Sequence, residues 1–136
     1  NMHFMLQKEV VNRMCAAPNT KAFGRLSVMT QYYCRTVPVT DVPPSAFVPP
    51  PKVDSAVIRL IPKPSEERNQ VNPKLLNRVC LEAFNQRRKT LRNSLQNIMT
   101  AEQLTALDID PGLRAENLTL AEFIKIGQWL EQKEQA

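Results

Sequence analysis

The chain has 136 residues, 43% of them apolar, which is enough for the core of one domain or two small ones and excludes wholesale disorder. A net charge of +5 favours an anionic partner, nucleic acid first and a membrane surface second, although an ordinary basic protein can carry the same charge. No apolar run is long enough to span a membrane, and widely spaced cysteines with a single histidine argue against a metal site or a disulfide framework.

The first part of the chain is predicted to alternate strands and helices. The predicted order is strand, helix, helix, strand, proline-rich loop and strand, with the regular elements at residues 3–7, 8–17, from 24 onward, 36–42 and 53–61. Pro38 predicts an edge position or a bulge, because proline donates no ladder hydrogen bond. The first strand begins without a preceding turn, so we expect the chain to be cut from a larger α/β protein.

The second part is predicted to be helical. Apolar residues recur at helical spacing over residues 74–99, which indicates one long amphipathic helix. Capping boxes at Thr100 and Thr119 predict the starts of a short helix and of a last helix. The sequence therefore divides into the end of an α/β domain, a polar linker and a helical domain, at residues 1–62, 63–72 and 73–136.

The most informative stretch is a proline-rich loop that runs into the last predicted strand, Phe47-Val48-Pro49-Pro50-Pro51-Lys52-Val53-Asp54-Ser55. Consecutive prolines stiffen an extended chain, so the ring of Phe47 is held on a semi-rigid segment. A ring held in this way can lie against a flat ligand with little loss of entropy. On composition alone, a core position for Phe47 is the more common outcome.

A second informative stretch is basic. At about 100° per residue, the predicted long helix places Arg78, Asn85, Arg88, Lys89 and Arg92 on the side opposite its apolar residues. Such a stripe suits a phosphate backbone, and the alternative is a solvated basic face.

Arg87 interrupts the apolar side of the same predicted helix. A guanidinium there requires a partner, either a carboxylate or a cluster of carbonyls, and Glu116 is the candidate carboxylate. Alternatively, Arg87 lies at the mouth of a groove between this helix and the α/β part.

The loop motif Phe-x-Pro-x-Pro-Lys-Val-Asp-Ser resembles that of the KsgA/RsmA-type small-subunit (16S) rRNA adenine dimethyltransferases, relatives of the erythromycin-resistance rRNA methylases. Further stretches resemble the same family in the same order. They begin at Phe4, Gly24, Pro43, Gln86 and Arg114. The resemblance covers nearly the whole chain and corresponds to about the carboxy-terminal half of a family member.

The resemblance implies the second half of a Rossmann-like, S-adenosylmethionine-dependent methyltransferase sheet, followed by a small all-α domain that binds rRNA. Family members methylate the exocyclic amines of two adjacent adenosines in small-subunit rRNA during ribosome assembly. Neither a glycine-rich cofactor loop nor an Asn-Leu-Pro-Tyr motif is present here. We therefore expect S-adenosylmethionine to be bound by the missing amino-terminal half, and these residues alone to be inactive.

For this chain, the resemblance implies that Phe47 stacks on the flipped-out target adenine. The residues expected to bind RNA are Lys52, Arg78, Arg87, Arg88, Lys89 and Arg92. Apart from the resemblance, the sequence itself leaves open whether Arg25, Lys52 and Arg59 touch RNA or face solvent. The expected partner is the assembling small ribosomal subunit, and we expect a cytoplasmic monomer with no metal and no membrane.

Two other functions are open from the sequence. The chain could be a stand-alone RNA-binding or ribosome-assembly module without catalysis. A basic helical DNA-binding domain is the third possibility, and no helix-turn-helix spacing supports it.

Overall fold

The computed structural model describes residues 1–43 and 54–135. Within them the strands are β1 (Met2–Gln7), β2 (Cys34–Val42) and β3 (Ser55–Pro62). The helices are α1 (Lys8–Met14), α2 (Arg25–Tyr33), α3 (Ser65–Arg68), α4 (Pro73–Asn85), α5 (Leu91–Ser94), α6 (Ala101–Ala106) and α7 (Leu120–Gln135). A 3₁₀ turn at Ala115–Asn117 precedes α7.

The strands form a sheet in the order β1-β3-β2, with β3 antiparallel to both neighbours. β1 and β2 therefore run in the same direction, joined by the two helices α1 and α2. The register of β2 against β3 shifts between Pro38 and Thr40, which confirms the bulge predicted from the proline. On β3, the alternate residues Ala56 and Ile58 are buried and pack with Val11 of α1.

Helix α1 is shorter than the helix predicted at residues 8–17, since it ends at Met14. Pro18 disfavours helical geometry at Ala17, and Asn19 adopts a left-handed conformation with a φ of 69°. The chain consequently turns between α1 and α2.

The long helix predicted at residues 74–99 is wrong, because a turn separates α4 from α5. In an unbroken helix the N–H group of Leu91 would donate to a carbonyl one turn earlier. It donates instead to the carbonyl of Leu113 at 2.7 Å. The N–H group of Arg92 likewise donates to the carbonyl of Pro111 at 3.0 Å. These long-range bonds fix the break.

Both predicted capping boxes are confirmed. Gln103 donates its N–H to Thr100 Oγ1 at 3.2 Å and accepts the Thr100 N–H on Oε1 at 2.8 Å. Glu122 and Thr119 make the same exchange at 3.2 and 3.0 Å. Each pair satisfies backbone donors that a helix start leaves without partners, so α6 and α7 begin where the sequence places them.

A larger core gathers the helices and reaches back into the first part of the chain. Phe23, Val28 and Tyr32 belong to it together with side chains of α4 to α7. The predicted linker carries α3, and its Val71 is buried in the same core. The core thus continues across residues 63–72, and the division into domains stays a prediction.

Candidate nucleic-acid interface

Arg87 lies in the turn after α4 and is half-buried. Its Nη2 donates to the backbone carbonyl of Phe23, and its guanidinium carbon is 5.6 Å from the centroid of the Phe84 ring. The predicted partner Glu116 is therefore wrong, because a carbonyl takes the place of the carboxylate and spares the desolvation of a second charge. The alternative prediction, a position at the mouth of a groove against the α/β part, is confirmed.

Arg88 and Lys89 lie in the turn that breaks the predicted helix, and Arg92 lies on α5. The prediction that they form a stripe along one helix is wrong for this reason. All three are exposed, and no carboxylate of the described residues forms an ion pair with any of them. Arg114 is brought beside them by a β-bridge to Thr90. These side chains form a cationic turn whose charge is unmatched within the described part of the chain.

Arg78 is placed differently from the cationic turn. It lies on α4, where Nη1 forms an ion pair with Oε1 of Glu134 on α7 at 3.0 Å. About half of each side chain is exposed, so the pair adds little stability but matches the charge of Arg78. Its role in RNA binding stays a prediction.

Phe47 and Lys52 lie outside the described residues, and their predicted roles stay predictions. The ends of the segment that carries them are described. Val42 at the end of β2 pairs with Ser55 at the start of β3, and Ser55 also pairs with Gln7 at the end of β1. Both ends of the segment therefore lie at the end of the sheet where β1 is followed by α1.

Lys8 ties both ends of that segment to the start of α1. Its N–H donates to the carbonyl of Asp54 at 2.9 Å, and its Nζ lies 2.9 Å from Oδ2 of Asp41. The hydrogen bond to Asp41 and the charge of that carboxylate raise the pKa of Lys8 above its usual value.

The sequence predicted a groove at Arg87 but not the other residues that line it. This groove has a volume of about 340 Å³ and is lined by Arg13, Lys21, Ala22, Gly24, Arg25, Leu26, Phe84 and Arg87. Its cations come from the end of α1, the α1–α2 connection, the start of α2 and the turn after α4. No local pattern unites these segments, since folding alone brings them together.

The site of S-adenosylmethionine binding stays a prediction, and the described glycines do not form a glycine-rich loop after a strand. Of the three glycines, Gly127 is packed inside α7 and Gly112 lies against the carboxylate of Asp110, so neither forms a loop after a strand. Gly24 precedes α2 and lines the groove beside Arg87. Within residues 1–43 and 54–135, no cluster of His, Cys, Asp and Glu is suited to a metal ion, and no helix is long and apolar enough to span a membrane.

The chain belongs to the ribosomal RNA adenine dimethylase family, which it matches over residues 1–132. It is 64% identical over 99% of its length to the ribosomal RNA small subunit methyltransferase A of Pseudoalteromonas translucida, and covers 50% of that protein. It is 58% identical to the protein of the same name from Escherichia coli (strain 55989 / EAEC), over 97% of the chain and 48% of that protein. The chain spans about half the length of the curated relatives it matches.

Solved structures are also similar. A dimethyladenosine transferase from Plasmodium falciparum superposes with a TM-score of 0.83 at 27% identity, over 97% of this chain and 57% of that one. The 23S rRNA methyltransferase ErmE superposes with a TM-score of 0.63 at 21% identity, over 96% of this chain and 54% of that one, which shows a shared fold. The mixed α/β architecture is therefore that of methyltransferases.

Proposed function

We propose that this chain is the carboxy-terminal half of a small-subunit rRNA adenine dimethyltransferase. The complete protein transfers methyl groups from S-adenosylmethionine to the exocyclic amines of two adjacent adenosines. Membership of the ribosomal RNA adenine dimethylase family across residues 1–132 carries the proposal. The protein acts as a cytoplasmic monomer on the assembling small ribosomal subunit, and residues outside this chain hold the cofactor.

In this proposal the sheet is one end of a larger Rossmann-like sheet, and α4 to α7 form a small helical domain that binds rRNA. The exposed apolar side chains of β1 support the first part. Phe4 is 43% exposed and Met5 is 54% exposed, on a strand whose described neighbour is β3 alone. Apolar side chains on an unpaired strand edge favour association, so further chain is expected to cover them.

Phe47 is proposed to stack on the target adenine after it leaves the RNA stack. Stacking on an aromatic side chain contributes about 1–3 kcal/mol per base, which offsets part of the cost of extraction. In the full-length protein, Phe47→Ala is expected to lower turnover on small subunits roughly 5- to 150-fold, while S-adenosylmethionine binding persists.

Methyl incorporation into small subunits and calorimetric titration of the cofactor measure these two quantities. Phe47→Tyr is the matched control, because it keeps an aromatic face and should retain most of the activity. Equal turnover of Phe47→Ala and the parent protein would end the stacking role.

The cationic turn is proposed to hold rRNA away from the chemistry and so to select the adenosine that reaches Phe47. Arg88→Ala and Arg92→Ala are each expected to weaken RNA binding and to lower the slope of log K against log salt by about 1. Cofactor affinity should not change. Lys74→Ala, which removes an exposed cation at the other end of α4, is the control. Unchanged slopes for both arginine variants would contradict the assignment.

A further inference from the structure

The groove beside Arg87 is distinct from the cationic turn, because its other cations come from the α/β part. Arg13, Lys21, Arg25 and Arg87 account for four of the eight residues lining it, and no acidic residue is among the described residues that line it. Like charges gathered in one concavity repel each other, so their arrangement favours a bound anion. A groove filled with water alone would gain nothing from holding four cations together.

Two of these cations have partners that leave them able to bind. Arg13 forms an exposed ion pair with Glu9, four residues earlier on α1, at 2.7 Å. Such surface pairs contribute little, so the pair can open or share a ligand at small cost. Arg25 donates from Nη1 to the neutral Oδ1 of Asn77 at 2.9 Å, which orients the guanidinium without cancelling its charge.

The walls of the groove are fixed by buried contacts. Ser27 has no exposed surface, donates to the carbonyl of Arg13 and accepts the N–H of Gly24 at 3.1 Å. It therefore clamps the end of α1 to the start of α2. Phe84 packs edge-on against Phe23, with ring centroids 6.0 Å apart, and joins the opposite wall to the same connection. A preformed site of this kind loses little entropy when it binds a ligand.

We propose that this groove binds a phosphate of the RNA backbone, as a second contact alongside the cationic turn. The inference rests on the proposed function, because RNA is the ligand only if the protein acts on rRNA. Arginine presents a planar fork of donors that matches phosphate oxygens, and lysine adds a point charge. The groove has a volume of about 340 Å³. This is roughly ten times the volume that one water molecule occupies in the liquid, so the groove has room for a phosphodiester.

Occupation of this site would hold RNA against the α/β part and the helices at once. The groove is built from α1, α2 and the turn after α4, whereas the cationic turn belongs to the helical part alone. A backbone held at both places has a fixed direction across the protein. The groove thus serves orientation of the RNA more than sequence recognition.

The test is the salt dependence of binding of full-length protein to small-subunit rRNA. Lys21→Gln and Arg25→Gln change exposed side chains, so both variants should fold as the parent does. Each is expected to lower the slope of log K against log salt by about 1, and the double variant by about 2. Lys74→Gln is the matched control and should leave the slope nearer to that of the parent. A parental slope in the double variant would overturn the proposal.

Arg88→Gln with Arg92→Gln separates this inference from the proposed function. If that pair lowers the slope and the groove double variant does not, the groove proposal fails and the proposed function stands. If the parent protein shows no salt-dependent binding of rRNA, the proposed function fails, and with it the basis of the inference.

A last comparison identifies the source of the phosphate. Inorganic phosphate should replace chloride at equal ionic strength with little effect on RNA binding, because a backbone phosphate is held by its neighbours along the chain as well. Strong competition that disappears in the groove double variant would identify a site for free phosphate and would overturn the assignment to RNA.

Discussion

At the scale of single residues, Tyr32 carries a contact that stabilises the fold beside the predicted linker. Its buried hydroxyl lies 2.7 Å from the carbonyl oxygen of Arg68 and accepts the N–H of Val71 at 3.2 Å. Tyr32→Phe leaves these backbone groups without their partner, so we expect a loss of about 1–3 kcal/mol in the free energy of unfolding. Denaturant unfolding measures it. Tyr33→Phe, at a side chain that is 39% exposed, should change stability far less, and equal losses would contradict the role of Tyr32.

Cys80 is expected to be chemically inert. Burial raises the pKa of its thiol to about 12 against an ordinary 9.0, and the charge of Arg25 opposes this only in part. The thiolate is the reactive species, so native protein should be alkylated at the half-buried Cys15 and Cys34 while Cys80 is spared. Mass spectrometry after alkylation at neutral pH measures the difference. Labelling of native Cys80 as fast as Cys34 would contradict the expectation.

The same pKa shift has a consequence for stability at alkaline pH. Above the ordinary value of 9.0 the thiol of Cys80 ionises in the unfolded chain, whereas in the folded chain it keeps its proton up to about 12. The unfolded state therefore binds fewer protons than the folded state in this window. The contribution of the Cys80 thiol to stability is fully present below pH 9.0 and is lost as the pH rises towards 12. Cys80→Ala should remove this part of the alkaline loss.

At the scale of elements, sequence periodicity predicted which residues are buried better than where helices end. Leu91, Leu95 and Ile98 are buried, as their spacing predicts, although they do not continue α4. The break depends on the bond from Leu91 to the carbonyl of Leu113, which periodicity over a short window cannot reveal. Capping boxes were predictable because both partners lie within one turn.

Residues of the candidate site were likewise predictable where they are neighbours in sequence and not where folding brings them together. The cations of the turn after α4 are adjacent in sequence and were predicted as a cluster, although on the wrong element. Arg13 and Lys21 were not predicted, because nothing in their own segments distinguishes them from solvated surface charges. The motif at Phe47 was found because its residues are contiguous.

Gly127 marks the close approach of α7 to the first turn of α4 and to the segment before it. A Cβ atom at this position would lie 2.9 Å from Cγ2 of Val71 and 3.8 Å from the Cα of Leu76. Gly127→Ala should therefore destabilise the fold by about 1–3 kcal/mol, less up to about 1 kcal/mol that alanine gains in helix propensity.

A double-mutant cycle tests the cause of this loss. Val71→Ala removes the atom that the new methyl group would meet, so the loss in the double variant should be smaller than the sum of the single losses. Thermal or denaturant unfolding of the four proteins measures the coupling. Strict additivity would show that the close contact with Val71 is not the cause.

At the scale of the whole molecule, one aromatic cluster joins the two parts of the chain. Phe84 of α4 packs edge-on against Phe23 of the α1–α2 connection and stacks on Phe123 of α7, with centroids 5.5 Å apart in the second pair. Arg87 extends this cluster to the surface by covering Phe84 and donating to the carbonyl of Phe23. Its guanidinium therefore belongs both to the junction and to the groove.

This dual position predicts a pattern that separates Arg87 from the other cations. Arg87→Met should lower the free energy of unfolding by about 1–2 kcal/mol, because the carbonyl of Phe23 loses its donor, and should also weaken RNA binding. Lys21→Gln should weaken RNA binding alone. Arg87→Lys keeps the charge but not the planar fork, so it should retain more of the salt dependence than Arg87→Met. Denaturant unfolding and salt titrations of rRNA binding measure both properties, and parental stability of Arg87→Met would show that the junction does not depend on this contact.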